Sequence, residues 1–553
     1  MALSACSENG MPGEGPGNGD EKGRFLTVGI ADAGSARAGS AGNEAGSDYE
    51  NKIGSLRFYF FDSEGNPVDV DLAERKNYVD CTASMQEKAT GSANTEKRLQ
   101  ATFMINPRNG RLSSMAAVAN HEKAQLGSGN LSLAELCAKI GDYRVEGAAA
   151  DFVMSSSSYA GTSGQICTTA VGPENLCETE AAAAENPITV YIERVVAKAR
   201  LKTAWNMDKV NVVNGAFYDH ADRTAVELHD SDGNPLTVDG KQVYAIFTGW
   251  NVTGKADKSY LFKKINTETA WALGWIWNQP ALFRSYWATN PAGTALGYIA
   301  YNEIGVPTGE DNAVYCAENA ADNFAAGTKK GYDPDTEVSN RTQAILAAVL
   351  VTLDANSNAS PVDLAKWAGA DYTQEGVKTA MLNATETPLY TKEGSTFAPI
   401  RPEHVELVTA TQAGMADDKS ENSARYLSYL QLTAAAREIQ FYAGTADDAA
   451  LTTDAVNDML KEMPGAKVWK NGMTYYYTDI RHLGLNEEKG LFGVVRNHVY
   501  DININSVTGL GTPVYDPNET IVPQKPANDE TFIAAEVNIL AWKTVNNDVE
   551  LTW

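Results

Sequence analysis

The chain has 553 residues, with 45 Lys plus Arg against 71 Asp plus Glu and a net charge of −26. This length exceeds what one hydrophobic core usually serves, so we expect two domains with insertions. A hydrophobic fraction of 43% and an aromatic fraction of 9% are typical of a folded globular protein and exclude a disordered one. The negative charge repels nucleic acid and anionic membranes, so neither is an expected partner.

The N-terminal segment has the pattern of an exported, lipid-anchored protein. Leu3 to Cys6 reads Leu-Ser-Ala-Cys, which resembles the lipobox at which bacterial lipoproteins are cut and acylated. Residues 7–23 then hold six Gly and two Pro, the composition of a flexible tether. We therefore expect a signal-directed lipoprotein precursor with palmitate on Cys6. The alternative is a remnant of expression followed by a disordered terminus.

The first predicted strand, residues 25–30, places Leu26, Val28 and Ile30 at alternate positions. Residues 33–47 follow and consist almost entirely of Gly, Ala and Ser. Arg37 is the only basic residue between Arg24 and Lys52. A small-residue segment with one arginine predicts an accessible site for a trypsin-like protease, between Arg37 and Ala38.

Strands dominate the rest of the chain. Further strands are predicted at residues 55–61, 101–105, 116–118, 188–202, 225–228, 243–253, 344–353, 474–480 and 499–507. A capping box at Ser132 predicts a helix to about residue 140, Pro361 predicts a helix start at 360–363, and residues 374–382 and 420–441 also favour helices. The pattern predicts a mainly β protein with two β-sandwich domains and helical insertions.

The C-terminal residues predict an extended arm and a strand made for another chain. Three prolines within residues 516–530 resist both helix and central strand. In the following strand, alternate apolar residues lie on one face, and Trp542 ends it: Ile533, Ala535, Val537, Ile539 and Ala541. Such a strand is an aggregation hazard unless a partner receives it, which predicts strand addition to a neighbouring subunit. We expect the arm to be mobile or loosely docked in an unassembled subunit.

Several other patterns have two interpretations. The aromatic residues between 271 and 287 are either a stacking platform for sugars or a packed core: Trp271, Trp275, Trp277, Phe283, Tyr286 and Trp287. A surface glycan-binding lipoprotein is accordingly the rival function. The segments starting at Asp62 and Asp230 are expected to be hairpin turns. The alternative is that they are calcium-binding loops, although both lack the bidentate Glu usual at the twelfth position. Cys167 and Cys177 are close enough in sequence for a disulfide, or are isolated small hydrophobes.

The chain carries none of the common catalytic or nucleotide-binding motifs. Its histidines are scattered and are expected on the surface or in loops: His121, His220, His229, His404, His482 and His498. We therefore expect no enzyme activity, no catalytic residue, no metal and no cofactor.

Four ordered segments resemble the major stalk subunits, or fimbrillins, of Bacteroidales type V pili, most closely the minor fimbrillin family of Porphyromonas. Gly34-Ser-Ala-Arg-Ala-Gly39 is similar to that family's maturation site. Residues 192–200 (IERVVAKAR) resemble the strand that joins the two domains in that family. Residues 494–502 (VVRNHVYDI), together with Leu510-Gly511, resemble a strand near the end of the family's second domain. Residues 531–543 resemble the family's terminal strand. His498 stands where relatives often have Asn, and residues 302–340 and the helices after 373 align poorly.

The resemblance implies a fold, an assembly mechanism and a set of partners. The domains would be transthyretin-like Greek-key sandwiches, and precursors would travel as lipoproteins to the outer membrane surface. An arginine-specific surface protease would cut at Arg37, remove the first strand with its lipid, and open a groove for the C-terminal strand of an identical subunit. Anchor and tip subunits of the same fimbria are implied partners, with host proteins or other bacteria as adhesion targets.

These expectations divide the chain into four parts. Residues 1–37 are the tether with the removable strand, 38–200 the N-terminal sandwich, 201–515 the C-terminal sandwich, and 516–553 the arm with its donor strand. The free energy of exchanging one apolar strand for another with similar alternation is expected to be close to zero. The irreversible cut at Arg37 would therefore make the exchange proceed in one direction.

Overall fold

The computed structural model describes the larger part of the chain. The described residues are 23–32, 46–47, 49–71, 74–82, 86–88, 98–107, 112–145, 151–161, 164–203, 209–212, 222–230, 232–265, 288–319, 341–415, 427–446, 449–480, 482, 493–523 and 532–541. Cys6, Arg37, Ala38, Trp542 and the aromatic residues between 271 and 287 lie outside these ranges.

The N-terminal part contains short strands and two short helices. The strands are β1 (Arg24–Asp32), β2 (Ser55–Phe61), β3 (Tyr78–Thr82), β4 (Gln86–Lys88), β5 (Arg98–Ile105), β6 (Ser114–Ala119), β7 (Ile140–Gly141), β8 (Met154–Ser156), β9 (Tyr159–Gly161), β10 (Gly164–Ile166), β11 (Thr169–Ala170) and β12 (Ile188–Arg194), and the helices are α1 (Leu133–Cys137) and α2 (Glu180–Glu185). The main sheet has the order β3-β2-β6-β8-β12-β1-β5-β4, with β11 added to β6.

This sheet folds over on itself to enclose a core. β2 and β5 are far apart in the strand order, yet the rings of Phe58 and Phe103 stack with centroids 5.3 Å apart. Leu26 and Val28 of β1 are fully buried in the same core. The opposite face of β2, including Tyr59, packs into a second cluster, which explains why every residue of this strand is buried.

The remainder of the chain contains most of the strands. They are β13 (Val196–Thr203), β14 (Lys209–Val212), β15 (Asp222–Glu227), β16 (Thr237–Val238), β17 (Lys241–Gln242), β18 (Tyr244–Thr253), β19 (Lys255–Ala256), β20 (Ser259–Tyr260), β21 (Leu296–Gly297), β22 (Ile299–Ala300), β23 (Val314–Ala317), β24 (Gln343–Leu353), β25 (Asn358–Pro361), β26 (Leu364–Trp367), β27 (Ala370–Thr373), β28 (Tyr390–Glu393), β29 (Thr396–Pro399), β30 (Val405–Thr409), β31 (Leu427–Leu432), β32 (Phe441–Tyr442), β33 (Ala466–Trp469), β34 (Met473–Asp479), β35 (His498–Thr508), β36 (Thr512–Pro513), β37 (Thr520–Ile521) and β38 (Phe532–Ala541). The helices are α3 (Gln374–Asn383) and α4 (Thr453–Lys461).

Two of these sheets pack face to face. One has the order β21-β19-β23-β13-β35-β38 and the other β18-β15-β14-β25-β24-β34-β36. Ala199 of β13 and Ile502 of β35 share a core with Val252 of β18 and Leu346 of β24. This sandwich begins at Val196, two residues after β12 ends in the N-terminal sheet.

Residues between 364 and 469 add a separate core. The sheet β27-β26-β33-β31-β30 packs with α3 and α4 around a cluster that includes Val377, Leu430 and Val456. The predicted division places all of 201–515 in one sandwich and does not foresee this cluster. The four-part division itself stays a prediction.

The mainly β fold class is confirmed. The predicted strands are found within a few residues of their expected bounds, and the helix after Ser132 begins with the expected capping box but ends at Cys137. Among the described residues, no helix is both long and apolar enough to cross a lipid bilayer.

Two helix predictions are wrong. Residues 358–361 form β25, because Asp354 accepts hydrogen bonds from the amides of Asn356 and Asn358, both at 2.8 Å, and so turns the chain back onto β24. Within 420–441, residues 427–432 form β31, whose alternate residues are buried between β30 and β33. Tertiary pairing overrides the helix propensity of this alanine-rich segment.

Candidate assembly site

Three of the four segments that carry the resemblance are neighbouring strands. β13 runs parallel to β35, from Lys198 opposite Val499 to Thr203 opposite Ile504. β38 runs antiparallel along the other side of β35. The predicted inter-domain, late and terminal strands therefore form one continuous part of a sheet. The fourth segment, around Arg37, lies outside the described residues.

The terminal strand β38 is seated on its own chain. Its backbone pairs with β35 from Phe532 opposite Thr508 to Ala541 opposite His498, with one register shift between Ile504 and Ser506. Four of the five predicted alternate residues are the register partners of Val507, Ile504, Ile502 and Tyr500, which are buried in the sandwich core, and the fifth is the partner of the buried His498. Residues 532–541 are therefore docked rather than mobile, which is one of the two expected alternatives, and the looseness of the docking stays a prediction. An apolar strand pairs with an open sheet edge when one is within reach.

The two terminal strands differ in how firmly they are held. β38 has β35 as its neighbour at the end of the described strand order, whereas β1 lies between β12 and β5. β1 is parallel to β12 and antiparallel to β5, and Ile30 pairs through its backbone with Val190 and Leu99. The Thr27 and Thr102 hydroxyl oxygens are 2.7 Å apart. β1 is thus an integral strand of the N-terminal core.

The chain beyond the predicted cut is anchored by a buried ion pair. The Glu50 carboxylate lies 2.7 Å from the Lys198 ammonium, and both side chains are at most 2% exposed. Tyr315 donates its hydroxyl to the same carboxylate at 2.7 Å, and the Ser47 amide donates at 3.0 Å. Burial raises the pKa of Glu50, but the bonds from Lys198 and Tyr315 outweigh burial and lower it below 4.5. Glu50 therefore stays ionised inside the protein.

Arg194 ties this anchor to the late strand. Its Nε donates to the Glu50 carbonyl at 3.0 Å and its Nη1 donates to Asn497 Oδ1 at 3.2 Å. Asn497 has a left-handed backbone with a φ of 58°, a conformation that Asn adopts more easily than most residues. The Asn497 amide in turn donates to the Val196 carbonyl at 2.8 Å. Asn497 thus joins the junction between β12 and β13 to the start of β35.

Arg496 makes a second buried clamp. Its Nε donates to Glu318 at 2.8 Å, and its other nitrogens donate to the carbonyls of Leu261 at 2.9 Å and Tyr260 at 2.6 Å. Arg496 is fully buried and Glu318 is 4% exposed. Each of the three guanidinium nitrogens therefore donates to a protein oxygen, which compensates for burial of the charge.

A third ion pair links β13 directly to β35. Arg200 makes a bidentate pair with Asp501 at 2.6 and 2.9 Å, and Lys202 donates to the same carboxylate at 2.8 Å. Arg200 and Asp501 are opposite each other in the parallel register. Sequence reasoning missed Glu50, Lys198, Glu318 and Arg496 as a connected set. Only Lys198 lies inside a strand, where a charged residue among apolar neighbours is a signal, whereas Glu50, Glu318 and Arg496 lie in connecting segments that carry no such signal.

Other sequence candidates are also placed by the structure. Asp62 accepts hydrogen bonds from the amides of Glu64 and Asn66, and Asp230 has the same arrangement, so both segments are hairpin turns. Within the described part of the chain, no group of three or more His, Cys, Asp or Glu side chains is placed to hold a metal ion.

The expectation that the histidines lie on the surface or in loops is wrong for His498, which is the first residue of β35, whereas His404 and His482 lie in segments between strands. His404, His482 and His498 are buried. The His498 Nδ1 lies 2.7 Å from the Arg496 carbonyl, and the His482 Nδ1 lies 2.8 Å from the Tyr500 hydroxyl. His498, where relatives often have Asn, is therefore part of the packed start of β35.

Comparison with known proteins links this strand arrangement to one family. Residues 467–548 match the model for the C-terminal region of the major fimbrial subunit protein type IV, fimbrillin. The resemblance to fimbrillins is confirmed. The matched region contains β35 and β38, and it supports a fimbrial subunit, a structural protein of a surface fimbria, rather than an enzyme. None of the curated proteins compared matches this chain.

The solved structures similar to this chain include fimbrial proteins that share little sequence with it. A fimbrillin (FimA) from Porphyromonas gingivalis is 12% identical, with a TM-score of 0.35, over 95% of this chain and 98% of that chain. The tip fimbrial protein Mfa3 from P. gingivalis is 12% identical, with a TM-score of 0.31, over 94% and 100%. A fimbrial assembly protein from Parabacteroides distasonis is 12% identical, with a TM-score of 0.30, over 62% and 86%.

The anchor at Glu50 generates a stability prediction. Lys198→Met leaves the Glu50 carboxylate buried without its cation, and we expect this to lower the free energy of unfolding by about 3–5 kcal/mol in urea denaturation. The control is Glu178→Gln, which removes a pair with Arg24 whose side chains are 40% and 78% exposed, and should cost below about 1 kcal/mol. Equal effects of the two variants would refute the anchor.

Proposed function

We propose that this chain is a polymerising stalk subunit of a surface fimbria that assembles by protease-triggered strand exchange. The observation that carries the proposal is the position of β1. It is a buried, two-sided strand that precedes the predicted cut at Arg37, whereas Glu50 anchors the chain after that cut. The fimbrillin match of residues 467–548 supports the family context.

Cleavage between Arg37 and Ala38 would convert β1 from part of the chain into a bound peptide. Burial of Leu26 and Val28 contributes about 1.5–3 kcal/mol each as an upper estimate, so the cut peptide would remain bound but exchangeable. The new N-terminus would stay in place through Glu50, Lys198 and Arg194. Departure of β1 would leave an open groove between β12 and β5.

The terminal strand of another copy would fill this groove. β38 repeats the alternation of Leu26, Val28 and Ile30, and it has a length similar to that of β1. In its own chain it has β35 as its described neighbour, so its release breaks one ladder of hydrogen bonds rather than two. Inserted in the groove, it would gain two ladders. This difference favours donation once the groove is empty.

The resemblance to fimbrillins also suggests a lipid anchor, a role for each part of the chain and a set of partners. Residues 1–37 would carry lipid on Cys6 and be lost on maturation, residues 38–200 and 201–515 would form the shaft of each subunit, and 516–553 would reach the next one. A lipidated Cys6 peptide in stoichiometric amount in purified fimbriae, measured by mass spectrometry, would contradict this order of events. Identical subunits, anchor and tip subunits and an arginine-specific protease are the proposed partners, with adhesion to host proteins or other bacteria.

The maturation step is tested at Arg37. Limited digestion with an arginine-specific protease should give a new N-terminus at Ala38, followed by ladders of polymer on a gel. Arg37→Ala should leave the monomer folded and block assembly, and Arg37→Lys should restore assembly with trypsin but not with the arginine-specific enzyme. Polymer formation by uncut Arg37→Ala protein would show that the cut is not the trigger.

The donation step is tested in β38. Val537→Asp places a charge at the register position opposite Ile502, which should cost several kcal/mol in an apolar groove and abolish elongation. Asn538→Ser, the adjacent position on the alternate side, is the matched control and should polymerise normally.

Deletion of residues 531–553 separates donation from folding. A cut subunit without its donor strand can accept but cannot donate, so its addition to the wild-type protein should shorten the fibres seen by electron microscopy. Fibres of normal length from the deleted protein alone would exclude donation. An unfolded deleted monomer would show instead that β38 belongs permanently to its own sandwich.

A further inference from the structure

Two cysteine thiols in the N-terminal part are in contact. Cys137 is the last residue of α1 and Cys167 follows β10, and their sulfur atoms are 3.2 Å apart. Cys177, the partner suggested by sequence spacing, instead directs its thiol toward the Glu174 carbonyl at 3.8 Å. Cys81 and Cys316 are buried in other clusters. None of the five described cysteines forms a disulfide in this structure.

The segment after Cys137 holds one side of residues 259–265. β7 pairs with β20, with Ile140 opposite Tyr260. The Leu261 amide also donates to the Lys139 carbonyl at 2.8 Å. Residues 138–141 thus form a short strand-like contact with the C-terminal part of the chain.

The segments before Cys167 hold the other side. The Ser155 hydroxyl donates to the Leu261 carbonyl and the Ser158 hydroxyl to the Lys263 carbonyl, both at 2.8 Å. Gln165 accepts from the Ile265 amide at 2.8 Å. Residues 259–265 therefore lie between two N-terminal segments, one adjoining Cys137 and the other adjoining Cys167.

Residues 259–265 also contact the buried clamp of the late strand. Leu261 and Phe262 are fully buried in the cluster that contains Cys167. The Leu261 carbonyl also accepts a hydrogen bond from Arg496 at 2.9 Å. A constraint on the two surrounding segments would therefore hold the N-terminal sheet to the region where β35 begins.

We propose that Cys137 and Cys167 form a disulfide that locks these two segments around residues 259–265. The sulfur atoms need to approach by only about 1 Å to reach bonding distance, a movement within reach of side-chain rotation. The bond would close a loop between positions 30 residues apart, a span for which a cross-link restricts the unfolded chain substantially. This inference is independent of strand exchange.

The chemistry requires an external disulfide as oxidant. Cys137 is the more exposed thiol, and its contact with Cys167 lowers its pKa. Its thiolate attacks one sulfur of the oxidant and displaces the other as a thiolate, which leaves a mixed disulfide. Cys167 then loses its proton to solvent and attacks Cys137 Sγ, which releases the second oxidant thiolate. Two protein thiols are oxidised, and one oxidant disulfide is reduced to two thiols.

The bond is tested by oxidising the full chain with oxidised glutathione, blocking free thiols and mapping the peptides without reductant. Cleavage after Lys, Arg and Glu separates Cys167 from Cys177, because Glu174 lies between them. We expect a linked peptide joining Cys137 to Cys167 that disappears on reduction. A link from Cys167 to Cys177, or complete alkylation of Cys137 and Cys167, would overturn the proposal.

The consequence for the fold is tested by hydrogen exchange. The amides of Leu261 and Ile265 should exchange about tenfold more slowly in the oxidised protein than in the reduced protein. Cys137→Ser should remove this difference while Cys177→Ser preserves it. Equal exchange in both redox states, with the linked peptide present, would show that the bond does not lock these segments.

Discussion

The ion pair between Glu50 and Lys198 holds together parts of the chain that are distant in sequence. A buried carboxylate is stable only if its charge is compensated. Here the Lys198 ammonium, the Tyr315 hydroxyl and the Ser47 backbone amide compensate the charge of Glu50. Glu50 lies just after the segment with the predicted cut, and Lys198 lies on β13 next to β35. The start of the mature chain, the end of the N-terminal sheet and the late strand are consequently fixed relative to one another.

Two buried arginines, one at the end of β12 and one just before β35, act as specific connectors. Arg194 and Arg496 are each buried and each bond to backbone carbonyls as well as side chains, so a shift of one residue in register would leave several donors without acceptors. Apolar contacts alone would tolerate such a shift more easily. The buried polar network therefore fixes the register in which β13 and β35 meet, and β35 provides the edge on which β38 lies.

The two terminal strands differ in the number of neighbouring strands to which they are hydrogen-bonded. β1 has hydrogen-bonded neighbours on both sides and a buried apolar face, whereas β38 extends the described order of its sheet at one end. Both strands carry the same alternation of apolar residues in their sequences. The strand more easily detached is thus the one that the chain carries at its C-terminus, while the strand that completes the N-terminal core is connected through a segment of small residues.

The sequence alone is enough to predict the strands, the class of fold and the residues of both terminal strands, because an alternation of apolar residues is a local pattern that can be recognised without knowing the neighbouring strands. It also determined the capping box at Ser132, in which donor and acceptor lie three residues apart. It failed at 358–361 and 427–432, where a hairpin turn and pairing with distant strands decided the structure. Three contacts follow only from the packing of the whole chain: the ion pair between Glu50 and Lys198, the contact between the Cys137 and Cys167 sulfur atoms, and the pairing of β38 with β35. Each of these contacts joins residues between 24 and 148 positions apart, and the chain brings such residues together only when whole sheets pack and the desolvated groups must find partners.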